Sequence, residues 1–266
     1  MKTVIITGSA RGFGYEMSKL FYINGYNVVL NDINEEALDN AYKSLLSFNS
    51  SARLLKIKCD VTNVSDISNL IDITLKEFGN IDIFINNAGV NQNLNKVWNL
   101  TDNEINKLVD IDIKATILAS REIMKLFIKQ NSGSLYNVYG LGSGDEQVKG
   151  MTMYGTTKRA IRYFTEGLAK EVKDYNITVG AIVPSIMVTN FMFTSLGDDK
   201  KIELDEKTKK IYNILGDRPE TIAQFMVKRI IKNKRKNPKF TFLTKKRAMW
   251  RFFKALFSKR DLFKEN

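Results

Sequence analysis

Short β-branched runs alternate with longer stretches of helical period along the first 180 residues or so. The runs TVIIT (3–7), NVVLN (27–31), RLLKIK (53–58), IDIFI (81–85), SLYNV (134–138) and ITVGAIV (177–183) are expected to be strands. Helices are expected between them at about 13–24, 34–48, 64–78, 101–129 and 155–174. In the fourth helix Ile105, Leu108, Ile111, Ala115 and Leu118 recur at spacings of three and four, and Thr101-Asp-Asn-Glu104 reads as a capping box. A helix opening at Pro219 and a last strand at 239–243 complete the pattern. Strand–helix alternation predicts parallel strands joined by right-handed crossovers. The fold class is therefore α/β, a doubly wound Rossmann-type sheet of about seven strands with helices on both faces.

Composition narrows the setting. The 266 residues are 44% apolar and 26% charged, which suits one globular domain and excludes a fibrous or disordered chain. No apolar run approaches the roughly 20 residues of a membrane-spanning helix, and the start MKTVIITGSARGFG turns Gly-rich too early for a signal peptide. Cys59 is the only cysteine, so no internal disulfide can form and a cytoplasmic setting is expected. There is no histidine. That excludes Ser-His-Asp triads, Cys-His dyads and His-ligated metal, and no metal site is expected; proton chemistry falls to Tyr, Lys, Asp or Glu.

The net charge of +12 is a local feature. Residues 228–266 hold 15 Lys/Arg and 2 Asp/Glu, out of 41 and 29 in the whole chain. No nucleic-acid-binding module accompanies it, and no nucleic-acid partner is expected. The boundaries expected are a catalytic domain at 1–244 and a basic amphipathic extension at 245–266. In the extension Ala248, Met249, Phe252, Phe253, Leu256 and Phe257 form one stripe of a helix. Arg247, Arg251 and Lys254 lie opposite, with Trp250 beside them. Such a stripe either packs on the protein itself or a neighbouring subunit, or lies in an anionic membrane surface with its cations toward the headgroups.

Ligands of such sheets bind beyond the carboxyl ends of the strands at the switch point. Gly8-Ser9-Ala10-Arg11-Gly12-Phe13-Gly14 stands there, between the first strand and the first helix. Its glycines allow a tight turn and close approach of backbone to a pyrophosphate held at the helix N-terminus. Asp32 ends the second strand and can accept both ribose hydroxyls of an adenosine; it can equally cap or turn the chain. Arg11 pulls toward a 2′-phosphate or is a solvated loop charge. NAD is expected over NADP, which stays open. Asp60, in Cys59-Asp60-Val61, either accepts from an adenine amino group or caps the next helix.

Taken in order, TGxxxGxG at 7–14, the acid at 32, Asp60, Asn86-Asn87-Ala88-Gly89, Tyr154-Gly-Thr-Thr-Lys158 and Pro184-Ser185 with Thr189 resemble the short-chain dehydrogenase/reductases over about residues 1–243. GLGSG followed by YGTTKRA is most similar to chlorophyll b reductase-like members. The resemblance implies an NAD(P)-dependent oxidoreductase that interconverts a carbonyl and a secondary alcohol. It implies Tyr154 as general acid/base and Lys158, one helical turn on, lowering the tyrosine pKa and binding the nicotinamide ribose. Asn87, Ala88 and Gly89 would form the turn under the nicotinamide; Val61 and Pro184 would also contact the cofactor. Homodimers or homotetramers are implied, paired through the helices at 101–129 and 155–174.

Two departures follow from the same resemblance. Gly140 stands where the family carries a serine; Ser143 is the candidate replacement, with Tyr139 a weaker one. Asp112 stands where the family carries an asparagine, and an ionised carboxylate accepts hydrogen bonds but donates none. Both favour the alternative of a catalytically impaired dinucleotide-binding sensor or scaffold. Residues 185–218 are expected to cover the substrate. The apolar Ile186, Met187, Val188, Phe191, Met192 and Phe193 suit either packing on the sheet or a hydrophobic alcohol or ketone.

Overall fold

The computed structural model describes residues 1–92, 94–189, 204–258 and 260–263. The lid residues Phe191, Met192 and Phe193 lie outside them. Seven strands form one parallel sheet: β1 Thr3–Ile6, β2 Asn27–Asp32, β3 Leu54–Lys58, β4 Ile83–Asn86, β5 Gly133–Val138, β6 Ile177–Val183 and β7 Lys239–Thr241. Their order is β3-β2-β1-β4-β5-β6-β7, so the switch point lies between β1 and β4.

Strand alternation divides the core into two layers. Val4 and Ile6 of β1, with Val28 and Leu30 of β2, pack against Phe13, Met17 and Phe21 of α1 (Gly12–Ile23). The helix from Pro219, α8 (Pro219–Ile231), completes that layer with Ile222, Met226 and Ile230. On the opposite face Ile5, Val29 and Phe84 meet Ile67 and Leu70 of α3 (Val64–Phe78) and Ile123 and Phe127 of α5 (Ala115–Gln130). Burying each such side chain contributes roughly 1.5–3 kcal/mol. The other helices of the body among the described residues are α2 (Glu35–Leu46), α4 (Asp102–Lys107), α6 (Thr152–Glu171) and α7 (Glu206–Leu215).

The expected helix at 101–129 is not uniform. Thr101 and Glu104 make the expected capping box. Between α4 and α5 the chain then widens into a π-helical turn, Leu108–Lys114. Such bulges break the 3.6-residue phase. Here Asp112, within the bulge, is 1% exposed.

The C-terminal helix α9 (Lys245–Ala255) turns its apolar stripe away from the body. Its arginines turn toward the body. Arg247 lies 4.4 Å over the Phe242 ring and donates to the Phe242 carbonyl. Arg251 donates to the Leu215 carbonyl at 2.7 Å and pairs with Asp217, which also takes Arg260 at 2.9 Å. Met249, Phe252, Phe253, Leu256 and Phe257 are exposed, and Trp250 joins them by stacking on Phe253. The apolar stripe therefore does not pack on the protein's own body, because two guanidiniums find ring faces, carbonyls and a carboxylate there. Among the described residues no helix is long and apolar enough to cross a membrane.

Candidate active site

The first turn after β1 is stitched to the turn after β4. The Thr7 hydroxyl accepts the N–H groups of Asn87 and Ala88, each at 2.9 Å. Asn87 Nδ2 donates back to the carbonyls of Thr7 and Gly8 at 2.9 and 3.2 Å. Gly14 leaves the room for this: a Cβ there would stand 2.5 Å from Asn87 Nδ2. Gly8 and Gly12 take φ of +61° and +58°, a left-handed backbone suited to glycine.

α1 begins without a side-chain cap, as Arg11 occupies the N-cap position and offers none. Its first N–H groups and positive dipole end are thus available to a phosphate, which fits a dinucleotide. Arg11 is exposed. Ser9 is tied to β2: its N–H donates to the Asn31 carbonyl at 2.9 Å and its hydroxyl accepts the Asn31 N–H at 2.9 Å. Phe13 is core, so only its backbone faces the turn.

Asp32 ends β2, and Oδ1 accepts the Asn34 N–H at 3.0 Å. It does not cap α2; Asn34 does, accepting from Ala37. Asp60 does not cap α3 either, since Asn63 holds that position. Asp60 Oδ1 instead takes the N–H and hydroxyl of Thr62 at 2.9 and 2.7 Å. Val61 shares a narrow cleft with Thr7, Asn86, Ala88 and Ile111.

On the other side of the switch point Tyr154 and Lys158 occupy one face of α6, both buried. Lys158 Nζ lies 5.1 Å from the Tyr154 ring centroid and 3.2 Å from Asp112 Oδ2. Asp112 is fully engaged: Oδ1 accepts the Val90 N–H at 3.0 Å and Oδ2 the Thr157 hydroxyl at 2.9 Å. Gly89 lies against this pair, where a Cβ would be 3.0 Å from Asp112 Oδ1 and 3.3 Å from Lys158 Nζ. Burial opposes charge on Lys158, but the Asp112 carboxylate and Tyr154 outweigh it and hold the ammonium above its ordinary pKa. Burial raises the Tyr154 pKa. Lys158 pulls it down, yet Asp112 and Tyr212 push it further up. The net direction is upward, against the lowering expected from Lys158 alone.

Gly140 stands against the tyrosine. A Cβ on it would be 2.4 Å from Tyr154 Oη, so the hydroxyl occupies the space a side chain would need. Tyr139 is no substitute donor: its ring packs with Ile161 and Ala181, its hydroxyl reaches the Arg162 carbonyl, and burial pushes its pKa up to about 12. Ser143 is buried in the turn that its N–H closes on the Gly140 carbonyl at 3.1 Å. Its own carbonyl takes Arg162 at 3.1 Å. No bond joins Ser143 to Tyr154 among the described residues.

Gln92 and Asn137, which no sequence pattern singles out, also position the site. Gln92 Oε1 accepts the Tyr154 N–H and Nε2 donates to the Gly150 carbonyl, both at 2.8 Å, clamping the start of α6. Beneath the site Asn86 Nδ2 donates to Ser120 and Asn137, and Asn137 to Thr165, tying β4, β5, α5 and α6. Pro184 is buried beyond β6, and Ser185 beside it takes φ of +122° with a hydroxyl that has no hydrogen-bond partner among the described residues.

A family model for short chain dehydrogenases matches residues 2–201. The diacetyl reductase [(S)-acetoin forming] of Staphylococcus epidermidis is 33% identical over 206 residues, covering 77% of this chain and 78% of that protein. The probable chlorophyll(ide) b reductase, chloroplastic, of Arabidopsis thaliana is 28% identical over 264 residues, or 93% of this chain. This chain spans only 52% of that relative's length. Among solved structures, an NAD+-bound xylitol dehydrogenase superposes with a TM-score of 0.77 at 23% identity, covering 90% of this chain and 97% of the other. The 3-ketoacyl-(acyl-carrier-protein) reductase of Brucella melitensis, complexed with NADH, gives 0.75 at 21% identity and 93% of each chain. The chain belongs to the short chain dehydrogenases.

Proposed function

We propose that this protein interconverts a carbonyl and a secondary alcohol on a hydrophobic small molecule, with Tyr154 as the proton-transferring group. The nicotinamide, when bound, supplies or takes the hydride. Gly8, Gly12 and the first N–H groups of α1 would hold its pyrophosphate, Asp32 its adenosine ribose, and Ala88 and Gly89 its nicotinamide end. NAD is favoured over NADP, because Asp32 repels a 2′-phosphate. The observation that carries the reading is the position of Tyr154, its hydroxyl set against side-chain-free Gly140 and its ring beside the ion-paired Lys158. A tyrosine held above its ordinary pKa keeps its proton at neutral pH, which suits donation to a carbonyl oxygen. Lys158 both orients that oxygen's donor and offers its ammonium to the ribose; Asp112 fixes Lys158.

The test is Tyr154→Phe, assayed with NADH and NADPH over a panel of ketones and alcohols. Turnover falls about 10²–10⁴-fold while cofactor affinity is retained. Turnover within a few-fold of the wild type refutes the assignment. Tight cofactor binding with no turnover on any substrate by the wild type supports a sensor or scaffold instead, the reading that Asp112 and Gly140 favour.

We also place the protein in the cytoplasm as a homodimer or homotetramer. Tyr163, 83% exposed on α6, leaves an aromatic open on a helix face expected to pair. Sedimentation as the 30.4 kDa monomer at micromolar concentration contradicts this.

A further inference from the structure

We propose that the outward face of α9 seats on an anionic lipid surface, and that the protein thereby takes its carbonyl substrate from the bilayer; only the substrate clause rests on the proposed reaction. Met249, Trp250, Phe252, Phe253, Leu256 and Phe257 are between 51% and 77% exposed. Phe253 links them, stacked on Trp250 at 5.7 Å and edge-on to Phe257 at 5.3 Å. A contiguous aromatic face of this kind on a folded chain marks an interaction site.

The helix cannot roll to hide that face without losing its anchors. Arg247 and Arg251 are spent on Phe242, the Leu215 carbonyl and Asp217. Rotation would take Arg251 away from Asp217, itself 6% exposed, and leave that carboxylate with Arg260 alone.

Charge selects the occupant. Lys245, Lys246 and Lys254 are exposed on the same helix. A groove lined by Lys228, Lys232, Lys234, Arg235 and Lys239 runs to Thr244, the N-cap of α9. The segment 228–266 carries 15 cations against 2 acids. A second copy seated on this face would press two cationic rims together with little acid to neutralise them. An anionic leaflet meets aromatic and cationic groups at once, each Lys or Arg near the surface contributing about 1 kcal/mol.

The location couples the face to the site. Beyond α9, the Leu262 N–H donates to Asn213 Oδ1 at 2.8 Å and Phe263 lies 6.5 Å from the Tyr212 ring. Both partners belong to α7, whose Tyr212 acts electrostatically on Tyr154. The surface facing the bilayer is thus joined to α7, whose Tyr212 is within electrostatic reach of Tyr154.

The full chain carrying Trp98→Phe keeps Trp250 as its single tryptophan. It is mixed with vesicles of phosphatidylcholine alone, or of phosphatidylcholine and phosphatidylglycerol in equal parts. The expected result is co-sedimentation with the anionic vesicles alone, weakened by added salt, with Trp250 emission shifted to the blue and quenched by brominated acyl chains. Phe253→Ser with Phe257→Ser lowers the partition coefficient roughly tenfold or more, while cofactor affinity and circular dichroism stay unchanged. Absence of binding, or equal binding by the double variant, overturns the proposal. So does loss of a dimer or tetramer in the double variant without any vesicle binding, which assigns the face to a second copy. For the substrate clause, the double variant reduces a bilayer-dissolved ketone more slowly and a water-soluble ketone at the wild-type rate. Equal rates on both overturn that clause and leave docking to the vesicle result; a wild type inactive on every carbonyl refutes the proposed reaction separately.

Discussion

Gly140→Ala tests the assignment of Tyr154 through a residue that carries no side chain of its own. The added Cβ would lie 2.4 Å from Tyr154 Oη, 3.1 Å from Tyr154 Cζ and 3.0 Å from Lys158 Cγ, where ordinary contact begins at 3.4 Å. Relief requires the hydroxyl to retreat by about 1 Å, a misplacement that costs on the order of 10²-fold in rate. Gly140 does not have a positive φ, so the backbone accepts alanine without strain and the effect is steric. Overpacking of this kind costs about 1–3 kcal/mol, offset by about 0.4–1 kcal/mol from the stiffer unfolded chain. The variant therefore folds with a modestly lower Tm. The assay is kcat/KM with an accepted carbonyl beside cofactor Kd, with Gly167→Ala as control. Gly167 lies in α6 with nothing within 4 Å of an added Cβ. The expected result is a drop of about a hundredfold in kcat/KM at nearly unchanged cofactor Kd, and no loss in the control. Turnover of Gly140→Ala within a few-fold of the wild type refutes the position given to Tyr154.

NADH binds more tightly than NADPH by fluorescence titration, and Asp32→Ala narrows or reverses the gap; a wild type that prefers NADPH contradicts the role given to Asp32. Ser185→Gly relieves a φ of +122° and an unpartnered buried hydroxyl, raising stability by about 1 kcal/mol, which a melting curve at or below the wild-type Tm disproves. Burial, with Asp66 and Asp60 adding to it, pushes the Cys59 thiol up to about 12 from 9.0, so a maleimide leaves the native protein unlabelled until denaturant opens it. Because that pKa is raised on folding, the associated stability is full below the unfolded thiol's pKa and is lost as pH rises toward 12; a denaturation midpoint that stays flat through mildly alkaline pH and then declines is the expected record.

What the sequence disclosed depends on the range over which each feature is encoded. β1, β2 and β6 announce themselves because strands buried largely on both faces read as short apolar runs rich in β-branched residues. Tyr154 and Lys158 are legible as a pair because one helical turn separates them, and Thr101 and Glu104 because a capping box is local. The losses are the features that need a partner far along the chain. Gln92 clamps Tyr154 across 62 residues, and nothing around Gln92 marks it out. Ser9 sits inside a phosphate-binding pattern, yet Asn31 consumes both its hydroxyl and its N–H. Asp112 was visible as an exception, but its capture of Lys158 depends on a π-helical turn that shifts the phase of the helix.

The C-terminal helix shows the same limit in energetic form. Periodicity separates residues into two faces without saying which face turns inward, and the usual rule assigns that to the apolar one. In α9 the rule fails because the body offers the arginines the Phe242 and Phe225 rings, the carbonyls of Phe242, Leu215 and Gly216, and the Asp217 carboxylate. A guanidinium stacks on a ring and satisfies carbonyls and a carboxylate at once, whereas a phenyl group placed there would leave those acceptors bare. Burying two arginines therefore costs less than burying the aromatic stripe, and the hydrophobic free energy forgone by that stripe remains available to whatever surface the helix meets next.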